Sequence, residues 1–377
     1  MSGKITRVVV EGYASIESAA VDLGDVTILV GANGVGKSNF IDALELLGRI
    51  VDNELGLEIG LRGGAQALLH AGTQPASSLC LRIEAQAAAA GASNAYEAVL
   101  LPAANDTFVF GSELVYFQAP GYDDPYNDSL GSGHRESRLP EAAAAKPGKV
   151  ASYVVDILRG CRVYHFQDTS RDAPVKQLGY AADNETLRPD AANLAAFLLR
   201  LRDHEPVHYK RILAAIRANA PYFRDFVLAE EGAGRIRLRW TQSGVDATFP
   251  AEALSDGTLR YICLATLLLQ PYPPSLIALD EPELGLHPFA IAQLADMLAS
   301  TATRSQIVVA TQSVTLLNQF ELDNLVVVER EGGSSVLHRP DEERMRAWLD
   351  EYSLGELWEK NLLGGRPASE SAPASGR

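Results

Sequence analysis

Cysteine is scarce in this sequence, and the few cysteines present exclude two common structural roles. Cys80, Cys161 and Cys263 are the only three among 377 residues. An odd number of widely spaced thiols fits neither a disulfide framework nor a zinc site. We therefore predict a protein of the reducing cytoplasm.

Long uninterrupted apolar runs are also missing. The N-terminal residues MSGKITRVVVEG lack the extended apolar region of a signal peptide, and the most apolar stretch, residues 261–279, contains Gln270 and three prolines. A membrane-spanning helix needs about 20 consecutive, mainly apolar residues. We therefore expect no association with a membrane.

Positive charge is in deficit. The 33 Lys and Arg residues and 48 Asp and Glu residues give a formal net charge of −15 at pH 7, so the overall field repels nucleic acid. Any DNA contact must use a local basic patch. Arg235, Arg237 and Arg239 form one candidate, because they share a face of a strand predicted over residues 235–240. A solvated sheet face is the more common reason for such a pattern.

What the sequence does contain is a phosphate-binding loop. Residues 26–30 are β-branched and apolar, which predicts a buried strand, and the residues after Lys37 have the periodicity of an amphipathic helix. The intervening G-x-x-x-x-G-K-S can turn backbone N–H groups toward phosphate oxygens, while the helix N-terminus adds its positive dipole end. Lys37 can reach the β- and γ-phosphates, and Ser38 can ligate Mg²⁺. The residues predicted to bind ATP are Gly31, Ala32, Asn33, Gly34, Val35, Gly36, Lys37, Ser38 and Asn39. The alternative is a glycine-rich turn without a ligand.

The remainder of the first half is predicted to be mainly β-structure. Residues 5–23 and 26–30 suggest two strands of one sheet, joined at Gly24 and Asp25, with the first strand beside the strand of the phosphate loop. Residues 121–149 are polar and lack periodicity, which predicts a mobile loop. Further short strands, predicted to form an antiparallel layer, occupy residues 79–87, 95–101, 107–110 and 113–118.

Helical patterns and a second set of polar motifs follow. Residues 190–219 carry two apolar stripes, which predict a small helical lobe. In LSDGT, Ser255 can cap a helix whose N-terminus is a ready anion site. Residues 276–279 are apolar and end in Asp280 and Glu281, as expected for a parallel strand that delivers acids at its C-terminal edge. Another core strand, residues 306–310, precedes the tripeptide TQS.

The order of these motifs resembles the ABC ATPase superfamily. The phosphate loop, LSDGT, LIALDEPELGLHP and TQS resemble its Walker A, signature, Walker B with D-loop, and switch elements. Within the superfamily the sequence is similar to the RecF, SMC and OLD branch, in particular to compact ATPases with a GANGVGKSNFIDAL-type loop and a YSLGELWEKNLLGG-type end. The resemblance implies an α/β fold, a P-loop NTPase of ABC-ATPase type, with a parallel core sheet, an antiparallel flanking sheet and a helical lobe.

The resemblance also implies how the site is assembled. Ser255 and Gly257 of one copy, with Asp256 between them, would touch the γ-phosphate held by the loop of another, so that two ATP molecules are buried in a head-to-tail homodimer. Asp280 would hold Mg²⁺ through water, together with Ser38. Glu281 would polarise the attacking water.

Two glutamines complete the predicted site. The family's switch residue is usually His, whereas this sequence has Gln312, which can donate a hydrogen bond but carries no positive charge. We therefore expect slow hydrolysis, with Lys37, Glu281 and Gln312 as the catalytic residues. For the family's glutamine that senses Mg²⁺ and the γ-phosphate we choose Gln167 over Gln118, although either fits a plain surface amide.

Missing segments narrow the biological role. No heptad run long enough for a coiled-coil arm separates the phosphate loop from LSDGT, and no sizeable acidic-cluster nuclease domain follows Leu325. An ATPase of this kind usually needs a partner, so we expect it to control a separately encoded, nuclease-like effector in bacterial antiviral defence or DNA repair. The alternatives are a slow or non-hydrolysing, ATP-locked scaffold and the ATPase subunit of a transporter.

We expect four parts along the chain. The first part of the ATPase lobe is predicted at residues 1–166, and the helical lobe at residues 167–254. The remainder of the ATPase lobe is predicted at residues 255–363, followed by a disordered tail at residues 364–377.

Overall fold

The computed structural model describes residues 3–72, 75–87, 91–122 and 124–364. The strands are β1 (Ile5–Tyr13), β2 (Ile16–Asp22), β3 (Val26–Val30), β4 (Leu79–Gln86), β5 (Ser93–Ala103), β6 (Thr107–Gln118), β7 (Tyr126–Gly131), β8 (Cys161–Tyr164), β9 (Gly179–Tyr180), β10 (Phe223–Phe226), β11 (Arg235–Ile236), β12 (Arg239–Gln242), β13 (Thr248–Pro250), β14 (Leu276–Asp280), β15 (Gln306–Thr311), β16 (Leu325–Glu331) and β17 (Ser334–His338). The α-helices are α1 (Lys37–Ile50), α2 (Leu55–Leu61), α3 (Ala65–Leu68), α4 (Leu139–Ala145), α5 (Val150–Arg159), α6 (Leu194–His204), α7 (Pro206–Asn219), α8 (Asp256–Leu269), α9 (Pro288–Ala302), α10 (Val314–Leu317), α11 (Glu342–Leu349) and α12 (Leu354–Glu359).

A six-stranded core sheet carries the motifs. Its order is β17-β16-β3-β15-β14-β8, and every neighbouring pair is parallel except β16 with β17. All six residues of β15 are buried, as expected for a strand covered on both faces. The register sets Val30 beside Thr311 and Ala310 beside Asp280, so the phosphate loop and the two acids leave the sheet at one edge.

The core sheet is covered by different layers on its two faces. Leu29, Val308 and Ala278 pack with α1, α5 and a second, antiparallel sheet of order β2-β1-β4-β5-β6-β7. Ile28 and Val309 face the opposite way, toward the helices α6 to α9. The predicted fold class, a parallel core sheet with an antiparallel flank and helices, is confirmed.

The prediction for the first strands is wrong in two respects. Residues 5–23 form two strands that reverse at Ala14 and Ser15, where Ala14 has a φ of 48°. Both belong to the antiparallel sheet, whereas β3 lies between β15 and β16 in the core sheet. Burial explains the separation, because β1 and β2 have exposed residues along their length while four of the five residues of β3 are buried.

Two further predictions in the antiparallel layer need correction. The strands predicted at residues 107–110 and 113–118 are one strand, β6, in which Gly111 is an unpaired bulge residue opposite β5. Residues 121–149, predicted to be a mobile loop, include β7 and α4. β7 is an edge strand without a fully buried residue, so it lacks the apolar alternation that marks most strands.

A buried carboxylate holds the segment after β7 in place. Glu113 is fully buried and accepts hydrogen bonds from the hydroxyl of Tyr96 (2.8 Å), the backbone N–H of Arg138 (3.0 Å) and the hydroxyl of Ser137, and it lies 2.8 Å from Nε2 of His134. These partners satisfy the hydrogen-bonding capacity of the buried carboxylate. The carboxylate thereby holds the segment after β7, which has little apolar surface to bury.

Some predictions fall outside these ranges or stay untested. The predicted disordered tail, residues 364–377, lies outside the described residues except for Gly364. The boundaries at residues 167 and 255 remain predictions. Cys80, Cys161 and Cys263 are free thiols. Nowhere in the described ranges is a helix both long enough and apolar enough to cross a membrane.

Close packing at Gly48 generates a testable prediction. A Cβ at this position in α1 would lie 2.6 Å from the carbonyl oxygen of Cys161 at the start of β8. Gly48→Ala should therefore destabilise the protein by about 1–3 kcal/mol although alanine is the better helix former. Gly60→Ala, in α2 with nothing within 4 Å of the new Cβ, is the matched control and should stabilise by about 0.5–1 kcal/mol. Urea denaturation measures both, and equal effects of the two substitutions would contradict the packing argument.

Candidate functional site

The phosphate loop is held by two serines distant in sequence, Ser335 of β17 and Ser15 of the turn between β1 and β2. Gly36 caps α1 with a φ of 107°, and a Cβ there would overlap the hydroxyl oxygens of Ser335 and Ser15. Ser335 Oγ donates to the Val35 carbonyl (2.6 Å), and Asn39 Nδ2 donates to Ser15 Oγ (2.6 Å). Asn39, predicted to bind ATP, thus braces the loop through Ser15. The roles of Ser15 and Ser335 were not predicted from the sequence.

Lys37 lies across the inside of the loop. Its ammonium donates to the carbonyls of Gly31 (2.8 Å) and Ala32 (2.9 Å), and the residue is 5% exposed. Burial lowers the pKa of Lys37, while the charges of Glu281 and its acidic neighbours Asp280 and Glu283 oppose that shift.

Asp280, the last residue of β14, joins two other elements. Ser38 Oγ donates to its Oδ2 (2.7 Å), and Gln167 Nε2 donates to its backbone carbonyl (2.7 Å). Its Oδ1 is buried and has no hydrogen-bond partner among the described atoms. Gln118, the alternative to Gln167, instead donates to the carbonyls of Ala119 and Tyr122 at the end of β6.

Glu281 and Gln312 face each other across the sheet edge. Gln312 Nε2 donates to Glu281 Oε1 (3.0 Å), and the Glu281 backbone N–H donates to the Ala310 carbonyl (2.8 Å). Glu281 has a φ of 45°, the left-handed region that non-glycine residues adopt rarely and often at functional sites. The turn after β14 is therefore fixed by backbone pairing with β15.

A third acid, Glu283, is buried behind these two. Thr311 Oγ1 donates to Glu283 Oε1, and Oε2 is buried without a described partner. Burial raises the pKa of Glu283.

The signature residues do not meet the phosphate loop within one chain. Ser255 caps α8 by accepting from the Thr258 N–H (3.2 Å), and a Cβ on Gly257 would lie 2.5 Å from the Gly285 carbonyl oxygen. Among the described residues, neither the Ser255 nor the Asp256 side chain has a hydrogen bond to the loop. Gly257 instead brings α8 close to residues 284–287, the segment that the resemblance assigns as the D-loop.

Arg260, one turn into α8, is a site residue that sequence reasoning missed. It is 6% exposed, and its guanidinium donates to the carbonyls of Phe166 (3.1 Å), Gln167 (2.9 Å) and Leu284. Burial lowers its pKa. A lone arginine in the apolar stretch LRYICLATLLL was the available signal, because arginine is seldom fully buried without partners.

His287 and the predicted basic patch lie outside this cluster. His287 caps α9, its Nδ1 accepting from the Phe289 N–H (3.2 Å). The predicted arginine strand is divided between β11 and β12: Arg235 lies over the ring of Tyr180, while Arg237 and Arg239 lie 3.3 and 3.8 Å from Glu231. The basic patch is thus largely engaged within the chain.

Comparison with known proteins gives one family. The sequence profile of the family described as "AAA domain, putative AbiEii toxin, Type IV TA system" matches residues 26–77 and 134–318. A human protein, ATP-binding cassette sub-family G member 5, is 24% identical over 200 residues, which are 52% of this chain and 27% of that protein. The chain thus matches only about a quarter of that relative's length.

Solved structures of SMC heads share the fold. A crystal structure of the SmcHead bound to the C-winged helix domain of ScpA has a TM-score of 0.55 and 17% identity, with 91% of this chain and 99% of that chain covered. An Smc head domain with an extended coiled coil, bound to the C-terminal domain of ScpA from Pyrococcus furiosus, gives 0.54 and 16%, with 92% and 99% covered. At these identities the likeness shows the fold alone.

An ion pair beside the site generates a prediction on pH. His165 lies two residues before Gln167, with its Nε2 3.4 Å from Glu45 Oε2. Hydrogen bonding to Glu45 raises the pKa of His165, although burial opposes this. A histidine whose pKa is higher in the folded state than in the unfolded state stabilises the fold. This stabilisation is complete below the unfolded-state pKa of about 6.5 and is lost as pH rises through the folded-state pKa.

His165→Gln should therefore lower the melting temperature more at pH 6 than at pH 9. Thermal unfolding across this range measures the gap. His204→Gln, at the exposed end of α6, is the control and should show no such trend. A gap for His165→Gln that stays constant with pH would contradict the ion pair.

Proposed function

The chain belongs to this family of AAA domains, and on that premise we propose that it binds ATP with Mg²⁺ and hydrolyses the bond between the β- and γ-phosphates to give ADP and phosphate. One observation carries the proposal. Three neighbouring parallel strands end at one edge of the core sheet and bring Lys37 there. At the same edge Ser38 bonds to Asp280, and Gln312 bonds to Glu281. That edge is where ligands bind in open α/β sheets.

The donor set fits Mg²⁺. The Ser38 hydroxyl, the Asp280 carboxylate and the amide oxygen of Gln167 are hard oxygen ligands, and Asp280 has a buried oxygen without a described partner. In the described part of the chain no cluster of three or more His, Cys, Asp or Glu side chains could hold a metal ion. This agrees with a cation that takes one or two carboxylates and completes its shell with water and phosphate.

Charge balance supports the same cation. Lys37 is the buried ammonium of the site, whereas Asp280, Glu281 and Glu283 are acids that act on its pKa. Arg260 is a second buried cation beside Asp280 and Glu281, so the two cations and three acids leave no excess of positive charge for a triphosphate. When bound, Mg²⁺ would supply positive charge to the phosphate oxygens.

The remaining steps use this chain's own side chains. Lys37 would exchange its hydrogen bonds to the loop carbonyls for bonds to phosphate oxygens. Glu281 would accept a proton from the attacking water, with its carboxylate oriented by the amide of Gln312. Gln312 lacks the charge of an imidazolium, so it would stabilise the developing negative oxygens less.

We infer that a second copy completes the site. Ser255 and Gly257 stand at the N-terminus of the fourteen-residue helix α8, which favours anions, and in the described ranges the Ser255 side chain bonds to Thr258 and to no residue of the phosphate loop. Leu284 in the adjacent D-loop is 51% exposed. A head-to-tail homodimer would use both features, with one ATP at each of its two sites.

The biological role we propose is control of a separately encoded, nuclease-like effector in the bacterial cytoplasm. The family's description as a putative toxin of a type IV TA system supports the role in antiviral defence, and DNA repair is the other role. The second candidate is an ATP-locked scaffold that hydrolyses ATP slowly or not at all, and the uncharged switch residue Gln312 favours it. Steady-state phosphate release separates an ATPase from such a scaffold.

Glu281→Gln provides the central test. The amide keeps the shape of the side chain and removes the base, so ATP binding should persist while hydrolysis falls about 100-fold or more. Nucleotide binding, phosphate release and the ATP-dependent mass of the assembly are measured together, and an ATP-bound dimer should accumulate. Glu359→Gln, on the exposed side of α12, is the matched control.

Lys37→Ala accompanies this test and should abolish ATP binding, because it removes the loop's fixed cation. Binding at the original affinity would contradict the loop assignment. Hydrolysis at the original rate in Glu281→Gln would place the base elsewhere.

Gln312 allows a gain of function to be tested. Gln312→His should raise turnover, because an imidazole orients water and, when protonated, adds charge beside the developing oxygens. A tenfold gain corresponds to ~1.4 kcal/mol of transition-state stabilisation. Gln312→Ala should lower turnover with nearly unchanged nucleotide binding. Unchanged phosphate release in both variants would exclude Gln312 from the site.

A further inference from the structure

A cavity of about 930 Å³ lies between the antiparallel sheet and the helices α4 and α5. It shares no lining residue with the phosphate loop or the acids of the core sheet. Its floor includes a row of directly paired residues on three neighbouring strands, Asn94 of β5, Phe117 of β6 and Tyr126 of β7. Directly paired residues point to the same face of a sheet.

The inner end of this row is an amide with no bonding partner in the described chain. Asn94 is 4% exposed, lines the cavity and makes no side-chain hydrogen bond to any described residue. Its amide borders the cavity and offers two donors and one acceptor to a ligand with a hydrogen-bonding edge.

The cavity exists because its roof is made of small side chains. α4 has the sequence LPEAAAA and presents Ala142 and Ala145, where larger residues would fill the space. The middle of the cavity is apolar and aromatic, with Val115 and Phe117 on the floor and Tyr153 on α5. Such a surface suits the faces of a flat ring system.

Positive charge lies at the connection between α4 and α5. Lys146 and Lys149 are exposed and line the cavity, and Lys146 has a distant ion pair with Asp128 (3.7 Å). Asp128 also lines the cavity and offsets part of this charge, so the two lysines leave a net positive charge beside the cavity in a chain whose net charge is −15.

We propose that this cavity binds a small heteroaromatic anion, about the size of a nucleoside monophosphate. The Asn94 amide pairs with the edge of the heterocycle, Phe117 and Tyr126 contact its face, and Lys146 and Lys149 attract the anionic group. The volume falls in the range of about 300–1,000 Å³ that is common for small-molecule sites. This proposal does not rest on the proposed ATPase activity.

The test uses the full-length chain carrying Lys37→Ala, so that the phosphate loop does not take up the competing nucleotides. The probe is anilinonaphthalene sulfonate, an aromatic anion that fluoresces in apolar surroundings. Titration should show one saturable site per chain. Adenosine and guanosine monophosphates are tested as heteroaromatic competitors, and decanoate as an aliphatic anion.

Substitutions separate the three parts of the cavity. Asn94→Leu should keep probe binding but weaken displacement by the better monophosphate about tenfold, the equivalent of one or two hydrogen bonds. Asn127→Leu, on the other face of β7, is the matched control and should leave displacement unchanged. Lys146→Ala with Lys149→Ala should weaken the probe and competitor a few fold, whereas Lys210→Ala on α7 should not.

Ala142→Phe fills the cavity and should abolish probe binding, and circular dichroism checks that this variant folds. If it does not fold, the lysine pair remains the test of location. Unchanged probe binding in the lysine variant would overturn the site. Displacement by decanoate but by neither monophosphate, or identical competition in Asn94→Leu and Asn127→Leu, would overturn the ligand class.

Discussion

The parallel alignment of β3, β15 and β14 is the constraint on which the site depends. It brings Ser38 within 2.7 Å of Asp280, although 242 positions of sequence separate them. The bond requires both strands to end at the same edge, with β15 between them in register. A shift of one residue in β14 would turn Asp280 to the other face of the sheet. The helices and the antiparallel flank bury both faces of this sheet and so hold the register.

The loops beside Asp280 have little regular structure, and Arg260 supplies hydrogen bonds to some of their carbonyl groups. Carbonyl groups in the interior need donors, and one guanidinium supplies five in a planar fork. Arg260 uses them on the segment that leads into Gln167 and on the D-loop at Leu284. A displacement of α8 would therefore act on both loops at once, because the Arg260 side chain bonds to each of them.

Local patterns made part of this molecule predictable. The glycines before Lys37 predict a loop, and the apolar residues before Asp280 predict a strand, each from a pattern of a few residues. The fold brings both to one edge of the core sheet. The sheet that receives β1 was predicted wrongly, because strand pairing depends on distant partners. β7 was missed because an exposed edge strand needs no apolar alternation. Ser15 and Ser335 meet across 320 positions, and no local pattern predicts a contact at that separation.

Continuity of the chain gives the proposed ligand cavity a physical connection to the phosphate site. α5 forms part of the cavity roof and ends at Arg159, β8 begins at Cys161, and Gln167 follows three residues after the end of that strand. At the start of β8, the absence of a side chain on Gly48 lets α1 approach the Cys161 carbonyl closely. The same stretch of chain then leads to Gln167, whose amide donates to the Asp280 carbonyl at the edge of the site.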